Sequence, residues 1–133
     1  MALQRAERSA PGRFDVALET GFVLVGLQRY PEALAAIDRA LAVEPHSPNA
    51  WALRAEAALA SGDAARAAAD AGRAAALLHS YADALATRAR AGQLLGDRTI
   101  ELTARAALAA LAAQGDTHAA QLLVGLNVGR EAR

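Results

Sequence analysis

The stretch YPEALAAIDRALAVEPHSPNAWALRA, residues 30–55, decides the fold because part of it returns one repeat length later. The later stretch, AARAAADAGRAAALLHSYADALATRA, covers residues 64–89. A fixed period of roughly 20–50 residues indicates an array of small structural units. The segments 14–47, 48–81 and 82–115 align as three such units. The period is 34 residues, measured between Gly62-Asp63 and Gly96-Asp97, Ala33 and Ala67, Ala40 and Ala74, and Ala55 and Ala89.

Each unit contains two segments with helical periodicity. Apolar residues recur at helical spacing, and the signals that start helices fall between the apolar segments. No run of alternating β-branched residues indicates a strand, so we expect an all-α chain. The expected helices span 14–27, 31–43, 48–60, 64–78, 82–95 and 98–113. Their expected start signals are Pro31, Ser47-Pro48, Asp63, Asp97 and a capping box over Ser80-Tyr81-Ala82-Asp83.

On this pattern the chain resembles the tetratricopeptide-repeat (TPR) family, whose units are helical hairpins of about 34 residues. The family pattern has a bulky residue at unit position 4, small residues at positions 8, 20 and 27, and proline at position 32. The third unit keeps Leu85 and Ala89 but has Glu101 at position 20, so its second helix can be offset by one residue. The first unit supplies Gly21, Ala33, Ala40 and Pro45, and the second supplies Trp51, Ala55, Ala67 and Ala74.

The resemblance implies an all-α, right-handed superhelix of about three TPR hairpins with flanking terminal helices. Residues 1–13 would form an N-terminal extension, 14–115 the repeat domain, and 116–133 a C-terminal capping or docking helix. Unit position 24, which is large in the family, is Ile37 in the first unit and Ala71 in the second. A missing large side chain can cost a few kcal/mol. We therefore expect the helix after Asp63 to be the weakest, with leucine at position 71 filling a gap.

Composition limits the possible classes of function. The 133 residues suit one domain, and Lys+Arg and Asp+Glu number 14 each. These charges are spread evenly along the chain, so no basic stripe indicates nucleic acid or a membrane as partner. The absence of cysteine excludes disulfides and thiolate metal sites. Without a signal-peptide core or a membrane-length apolar run we expect a cytoplasmic protein. All positive charge is arginine, a bias typical of GC-rich genomes, so we expect a bacterial origin.

No catalytic, cofactor or metal site is expected. The sequence contains neither a phosphate-binding glycine loop ending in lysine nor a G-x-S-x-G elbow. His46, His79 and His118 form no helical ligand pair, and the first two are interpreted as turn residues. Asp63, Asp97 and Asp116 each follow a glycine, which is typical of helix caps. We therefore expect a protein that is not an enzyme.

Stacked hairpins leave a concave face lined by the first helix of each unit. In the family, ligand contacts come mainly from unit positions 2, 5, 6, 9, 12 and 13, and we expect a groove for a protein or peptide there. Ordinary packing, for example against an extra helix, is the alternative for Leu18, Phe22, Val25, Leu53 and Leu59. The matching residues are Asp15, Leu18, Glu19, Phe22 and Val25, then Asn49, Ala52, Leu53, Glu56 and Leu59, then Asp83, Ala86, Thr87, Arg90 and Gln93.

Some family members hold a partner's C-terminal carboxylate with a two-carboxylate clamp of lysine, asparagine and arginine. The matching positions here are Leu18, Phe22, Leu53, Asp83 and Thr87, so binding of that type is not expected. The acidic excess on the predicted face favours a ligand with apolar anchors and a positive charge. The leading hypothesis is a non-enzymatic adaptor; the alternatives are a self-associating scaffold and an accessory or regulatory subunit of an enzyme.

The C-terminal segment THAAQLLVGLNVGREAR is apolar on more than one side. At about 100° per residue Leu122 and Val124 point some 200° apart, so one neighbouring helix cannot cover both. Leu122, Leu123, Val124 and Leu126 therefore predict a homodimer or partner contact through residues 119–128. The alternative is a helix that only caps the third unit.

Overall fold

Seven helices make up the part of the chain that the computed structural model describes, residues 11–131, with side chains for 13–127. No strand occurs in this range, which confirms the all-α prediction. Residues 11–13 of the predicted N-terminal extension belong to the first helix of this range. The helices are α1 (Pro11–Gly26), α2 (Tyr30–Val43), α3 (Pro48–Ala60), α4 (Ala64–Leu77), α5 (Ala82–Leu95), α6 (Arg98–Ala113) and α7 (Thr117–Glu131).

The predicted caps explain where most of these helices begin. The Ser47 hydroxyl accepts a hydrogen bond from the Ala50 N–H at 3.2 Å and so starts α3. Side chains of three aspartates do the same for α4, α6 and α7, at 3.0–3.2 Å. The predicted capping box before α5 is wrong. Tyr81 occupies the N-cap there and makes no side-chain capping bond, so Ser80 lies one residue too early to serve.

The helices form three hairpins and a terminal helix. Within the hairpins α1 packs on α2, α3 on α4, and α5 on α6. Across them α1 contacts α3, and α3 contacts α5, so the first helices of the hairpins form one continuous layer. Helix α7 packs against both α5 and α6. None of the helices in residues 11–131 is long and apolar enough to cross a membrane.

The core changes in character along the stack. Around Ile37 and Leu41, α2 buries large side chains against α1 and α3. At the far end, Leu85, Leu108 and Leu126 pack between α5, α6 and α7. The middle cluster has only alanines as its buried members, namely Ala58, Ala67, Ala68 and Ala91. Short side chains let helices approach closely, and α4 therefore gains its contacts from proximity rather than from bulk.

An ionic cluster around a buried carboxylate connects the alanine-rich helix α4 to its neighbours. Asp70 is 1% exposed and is among the largest fully buried side chains of the described residues. Its carboxylate accepts a hydrogen bond from Arg73 at 3.0 Å, and the Nε of Arg54 on α3 lies 3.5 Å away. Arg54 Nε also lies 3.5 Å from Asp38 of α2. We name Asp38, Arg54, Asp70 and Arg73 the Asp70 cluster; it links α2, α3 and α4.

The third hairpin keeps the repeat register although Glu101 replaces a small residue. The compensating residue is Gly92 on α5: a Cβ placed there would lie 2.6 Å from the Glu101 backbone nitrogen. The Glu101 side chain is buried beside Arg105, with Nε and Oε2 3.7 Å apart. Arg105 in turn donates a 2.7 Å hydrogen bond to Asn127 of α7. In this hairpin the small residue that permits the close approach therefore lies on α5 instead of α6.

We expect Ala71→Leu to destabilise the protein by about 1–3 kcal/mol, because added methylenes in a closed core force neighbours apart. Ala71 is completely buried, so the gap expected from the sequence is closed by the near approach of the helices. The matched control is Ala69→Leu, at an exposed position of the same helix, which should change stability little. Thermal unfolding followed by circular dichroism measures both. A higher melting temperature for Ala71→Leu would show that α4 is underpacked.

Candidate functional site

A groove of about 660 Å³ runs along the layer formed by α1, α3 and α5, and α7 reaches its edge. Helical spacing explains the membership: on each of these helices the groove residues occupy positions i, i+3, i+4 and i+7, so their side chains share one face. The lining residues are Asp15, Leu18, Glu19 and Phe22 of α1; Asn49, Ala52, Leu53, Glu56 and Leu59 of α3; Tyr81 at the start of α5; Asp83, Ala86, Thr87 and Arg90 of α5; and Leu122 of α7.

Nearly all residues of the predicted concave face line this groove. The exceptions are Val25 and Gln93. Val25 lies about one turn after Phe22, near the end of α1, and packs against the core around Ile37. Gln93 is half-buried, and its Nε2 has no hydrogen-bond partner among the described residues. The repeat register thus predicts most of the groove lining, but it includes Val25 and Gln93, which do not line the groove, and it omits Tyr81 and Leu122, which do.

Some apolar residues of the groove are buried in the core, and others are exposed to solvent. Leu53 is buried in the core shared by α2 and α3, and Leu18 packs against the same core. Phe22 is 67% exposed and has most of its ring available to a ligand. The packing alternative therefore holds for Leu53, whereas the groove offers Phe22 as an exposed aromatic anchor.

Negative charge dominates the groove. Asp15, Glu19, Glu56 and Asp83 line it against the single cation of Arg90. Among residues 13–127 the first three form no salt bridge, and Asp83 contacts only His118. The five positions that would form a two-carboxylate clamp all line the groove, and they carry three apolar side chains, one carboxylate and one hydroxyl. The groove therefore favours positive charge.

Tyr81 is a groove residue that the repeat pattern missed, because it lies outside the ligand positions of the unit. Its ring is half-buried. Burial first, and then the charges of Asp83 and Glu56, raise the pKa of the Tyr81 hydroxyl. Carboxylates from two different helices thus act on one phenol. An aromatic side chain beside two carboxylates is a chemical environment that suits an ammonium or guanidinium group.

The C-terminal helix closes one edge of the groove. His118 Nε2 lies 2.8 Å from Asp83 Oδ1, which ties α7 to α5, and Leu122 joins the groove lining. Leu126 is 3% exposed and belongs to the core with Leu108, so it is not free to contact a second molecule. This corrects the place given to Leu126 in the predicted self-association surface.

The remaining residues of that predicted surface are divided between core and solvent. Leu122 and Leu123 pack partly against the core of the third hairpin. Val124 is 62% exposed. Of the four predicted residues, Val124 is the one that presents most of its side chain to solvent. Another exposed apolar stripe is formed by Val16 and Val23 of α1 and by Leu27, the residue that follows this helix.

The histidines do not form a site. His46 and His79 are exposed and lie in the turns between hairpins, and His118 pairs with Asp83. Within the described part of the chain no group of three or more His, Cys, Asp or Glu side chains is placed to hold a metal ion.

No protein-family model and no curated protein matches the sequence, but solved structures do. The first TPR domain of Spaghetti (RPAP3), bound to the HSP90 peptide SRMEEVD, matches with a TM-score of 0.75 at 22% identity, over 90% of this chain and 94% of its own. The Sgt2 TPR domain from Aspergillus fumigatus gives a TM-score of 0.75 at 24% identity, over 92% and 81% of the two chains.

The TPR2AB domain of yeast Sti1, in a complex with pHSP90, matches with a TM-score of 0.77 at 20% identity. The match covers 92% of this chain and 51% of the Sti1 chain, so the present chain spans about half of that structure. All three are TPR domains, and their likeness agrees with the three hairpins and the 34-residue period. The chain therefore has the fold of a tetratricopeptide-repeat protein.

Proposed function

We propose that this chain is a non-enzymatic adaptor that binds a protein or peptide segment in the groove of α1, α3 and α5. The observation that carries the proposal is a groove of about 660 Å³ with an exposed aromatic ring, Phe22, in its wall and charged side chains around it. An aromatic anchor surrounded by polar residues is typical of a protein-binding surface. Two structural neighbours of the same fold are described in complex with HSP90 or its peptide, which supports this use of the fold.

The ligand of the neighbours is a poor candidate for this groove. The peptide SRMEEVD carries three acidic residues, and the groove here carries four carboxylates against one arginine. Like charges brought together on binding cost free energy. The proposal therefore takes the mode of binding from the neighbours and leaves their ligand aside.

We expect Phe22→Ala to weaken peptide binding by about tenfold or more, because a central aromatic anchor is worth about 2 kcal/mol in many interfaces. The probes are peptides recovered from a random display library on the unmodified protein, and their affinities are measured by calorimetry. The matched control is Leu102→Ala, which removes another exposed apolar side chain (47% exposed) from α6, outside the groove. It should leave binding unchanged. A library that yields no binding peptide, or an equal loss in both variants, would contradict the proposal.

Self-association is the second candidate function, and the exposed stripe of Val16 and Val23 on α1 with the adjoining Leu27 favours it. An exposed apolar patch on a folded protein often marks an interface. In this case α1 would stack on a second copy, and the chain would serve as a scaffold. Light scattering over a range of concentrations distinguishes the two functions: the adaptor remains a monomer, whereas the scaffold dimerises and loses its dimer on Val23→Asp.

A further inference from the structure

We infer that the groove takes a segment of a partner protein that carries both arginine or lysine and apolar residues. This inference rests on the proposed function and adds the chemical class of the ligand. Its basis is charge complementarity between the ligand and a groove whose carboxylates have few cationic partners of their own.

The carboxylates are distributed along the whole groove. Asp15 and Glu19 lie one turn apart on the same face of α1, Glu56 projects from α3, and Asp83 from α5. Each of the three hairpins therefore places at least one negative charge beside the bound segment. Because the same groove also presents apolar side chains such as Phe22, a ligand that satisfies the groove needs both cationic and apolar side chains.

Three arginines of α3 and α4 contact Asp70 and do not line the groove. Arg54 and Arg73 belong to the Asp70 cluster, and Arg66 also lies within 4.0 Å of Asp70. The formal net charge of the chain is zero, but its four groove carboxylates and one groove arginine give that surface a net charge of about three negative units at neutral pH. The negative charge is thus concentrated in the groove, where it steers a cationic partner toward the binding surface.

The start of α5 shows how a ligand cation would be held. The imidazole of His118 already contacts Asp83 at 2.8 Å, and both side chains are more than half exposed. Tyr81 lies in the same part of the groove, within the electrostatic field of Asp83 and Glu56. A guanidinium between Glu56 and Asp83 would stack on the Tyr81 ring and bind carboxylate oxygen at the same time, the two contacts that arginine makes best.

The test is the charge composition of the peptides that the full chain selects. A random display library with equal shares of acidic and basic residues is panned on the unmodified protein and, in parallel, on Phe22→Ala. We expect arginine and lysine to be enriched by about twofold or more beside apolar residues, and acidic residues to be depleted. Enrichment of neutral or acidic peptides that require Phe22 would overturn the charge assignment and leave the proposed function standing. Failure to enrich any peptide would overturn both.

Charge reversal gives the second measurement. With a selected basic peptide as probe, Glu19→Arg and Glu56→Arg should each weaken binding by about three- to fivefold, since exposed charge pairs are individually weak, and should flatten its dependence on salt. Glu44→Arg is the matched control, because Glu44 is exposed and lies outside the groove. It should have no effect. Equal losses in all three variants, or none in the groove variants, would contradict the inference, as would a dimer that Glu19→Arg dissociates, since the occupant would then be a second copy.

Discussion

Replacing Asp70 with alanine is expected to lower the free energy of unfolding by about 3 kcal/mol or more, because it leaves the mostly buried guanidinium of Arg54 with only the half-exposed Asp38 as a partner. Arg54 is mostly buried, and its Nε lies 3.5 Å from both Asp70 and Asp38. With about 4 °C lost per kcal/mol in a chain of this size, the melting temperature should fall by at least 10 °C or so. The loss also includes the contact of Asp70 with Arg73.

Asp38→Ala is the matched control, since it removes the other carboxylate at the same distance from Arg54. The two side chains differ in burial, with Asp38 52% exposed and Asp70 2%. Water replaces an exposed partner, so the control should cost less than about 1 kcal/mol. The guanidinium carbons of Arg54 and Arg73 lie 5.5 and 4.8 Å from the ring centre of Trp51, the only tryptophan. Its fluorescence therefore reports unfolding at this cluster. Equal losses for the two variants would show that burial does not decide the effect.

The large effect of Asp70→Ala does not require the ion pairs themselves to be strongly favourable. Burial raises the pKa of Asp70 above its ordinary value, and the guanidinium groups of Arg73 and Arg66 oppose this shift without cancelling it. Folding therefore favours the protonated form, and the contribution of Asp70 to stability decreases as the pH rises through its folded pKa. The loss arises because alanine removes a charged partner from the mostly buried guanidinium of Arg54.

Gly92→Ala is expected to destabilise the protein by about 2–3 kcal/mol, although alanine forms helices better than glycine. A Cβ at this position would lie 2.6 Å from the Glu101 nitrogen, 3.0 Å from its Cα and 3.1 Å from the Asp97 carbonyl oxygen. These are backbone atoms of the facing helix start, and they can move only if α5 and α6 separate. Chemical denaturation, with the midpoint and slope both fitted, measures the loss.

Gly125→Ala is the control for that substitution. Gly125 lies inside α7, and a Cβ there would meet no atom within 4 Å. The same change should therefore stabilise the protein by about 0.5–1 kcal/mol through helix propensity alone. A Gly92→Ala variant that is as stable as the unmodified protein would show that α5 and α6 do not pack as closely as described.

Much of the fold could be predicted because helix starts depend on a few neighbouring residues and the repeat is visible as a fixed period. Prolines, serines and aspartates before apolar segments placed the helices within three residues, and three of the expected helices have the bounds found, namely Pro48–Ala60, Ala82–Leu95 and Arg98–Ala113. The groove followed from the repeat, because equivalent positions of successive units face the same side.

The features that were not predicted are those that occur in only one of the three units. Asp70 aligns with Ala36 and Ala104 in the other units, so no pattern indicated a buried carboxylate there. Gly92 aligns with Ala58 and Leu24, and its role depends on the distance between two helices. Tertiary contacts of single units leave no periodic signal, and the same reason applies to Tyr81 in the groove.

The most direct test of the groove as the binding surface is an amide chemical-shift map, recorded by NMR while a selected basic peptide is titrated into the isotope-labelled full chain. The shifts should concentrate on α1, α3 and the first turns of α5, with the Phe22, Glu56 and Asp83 amides among the largest, and should saturate together. Shifts concentrated on α2, α4 and α6, or spread evenly over the chain, would contradict a binding site in this groove.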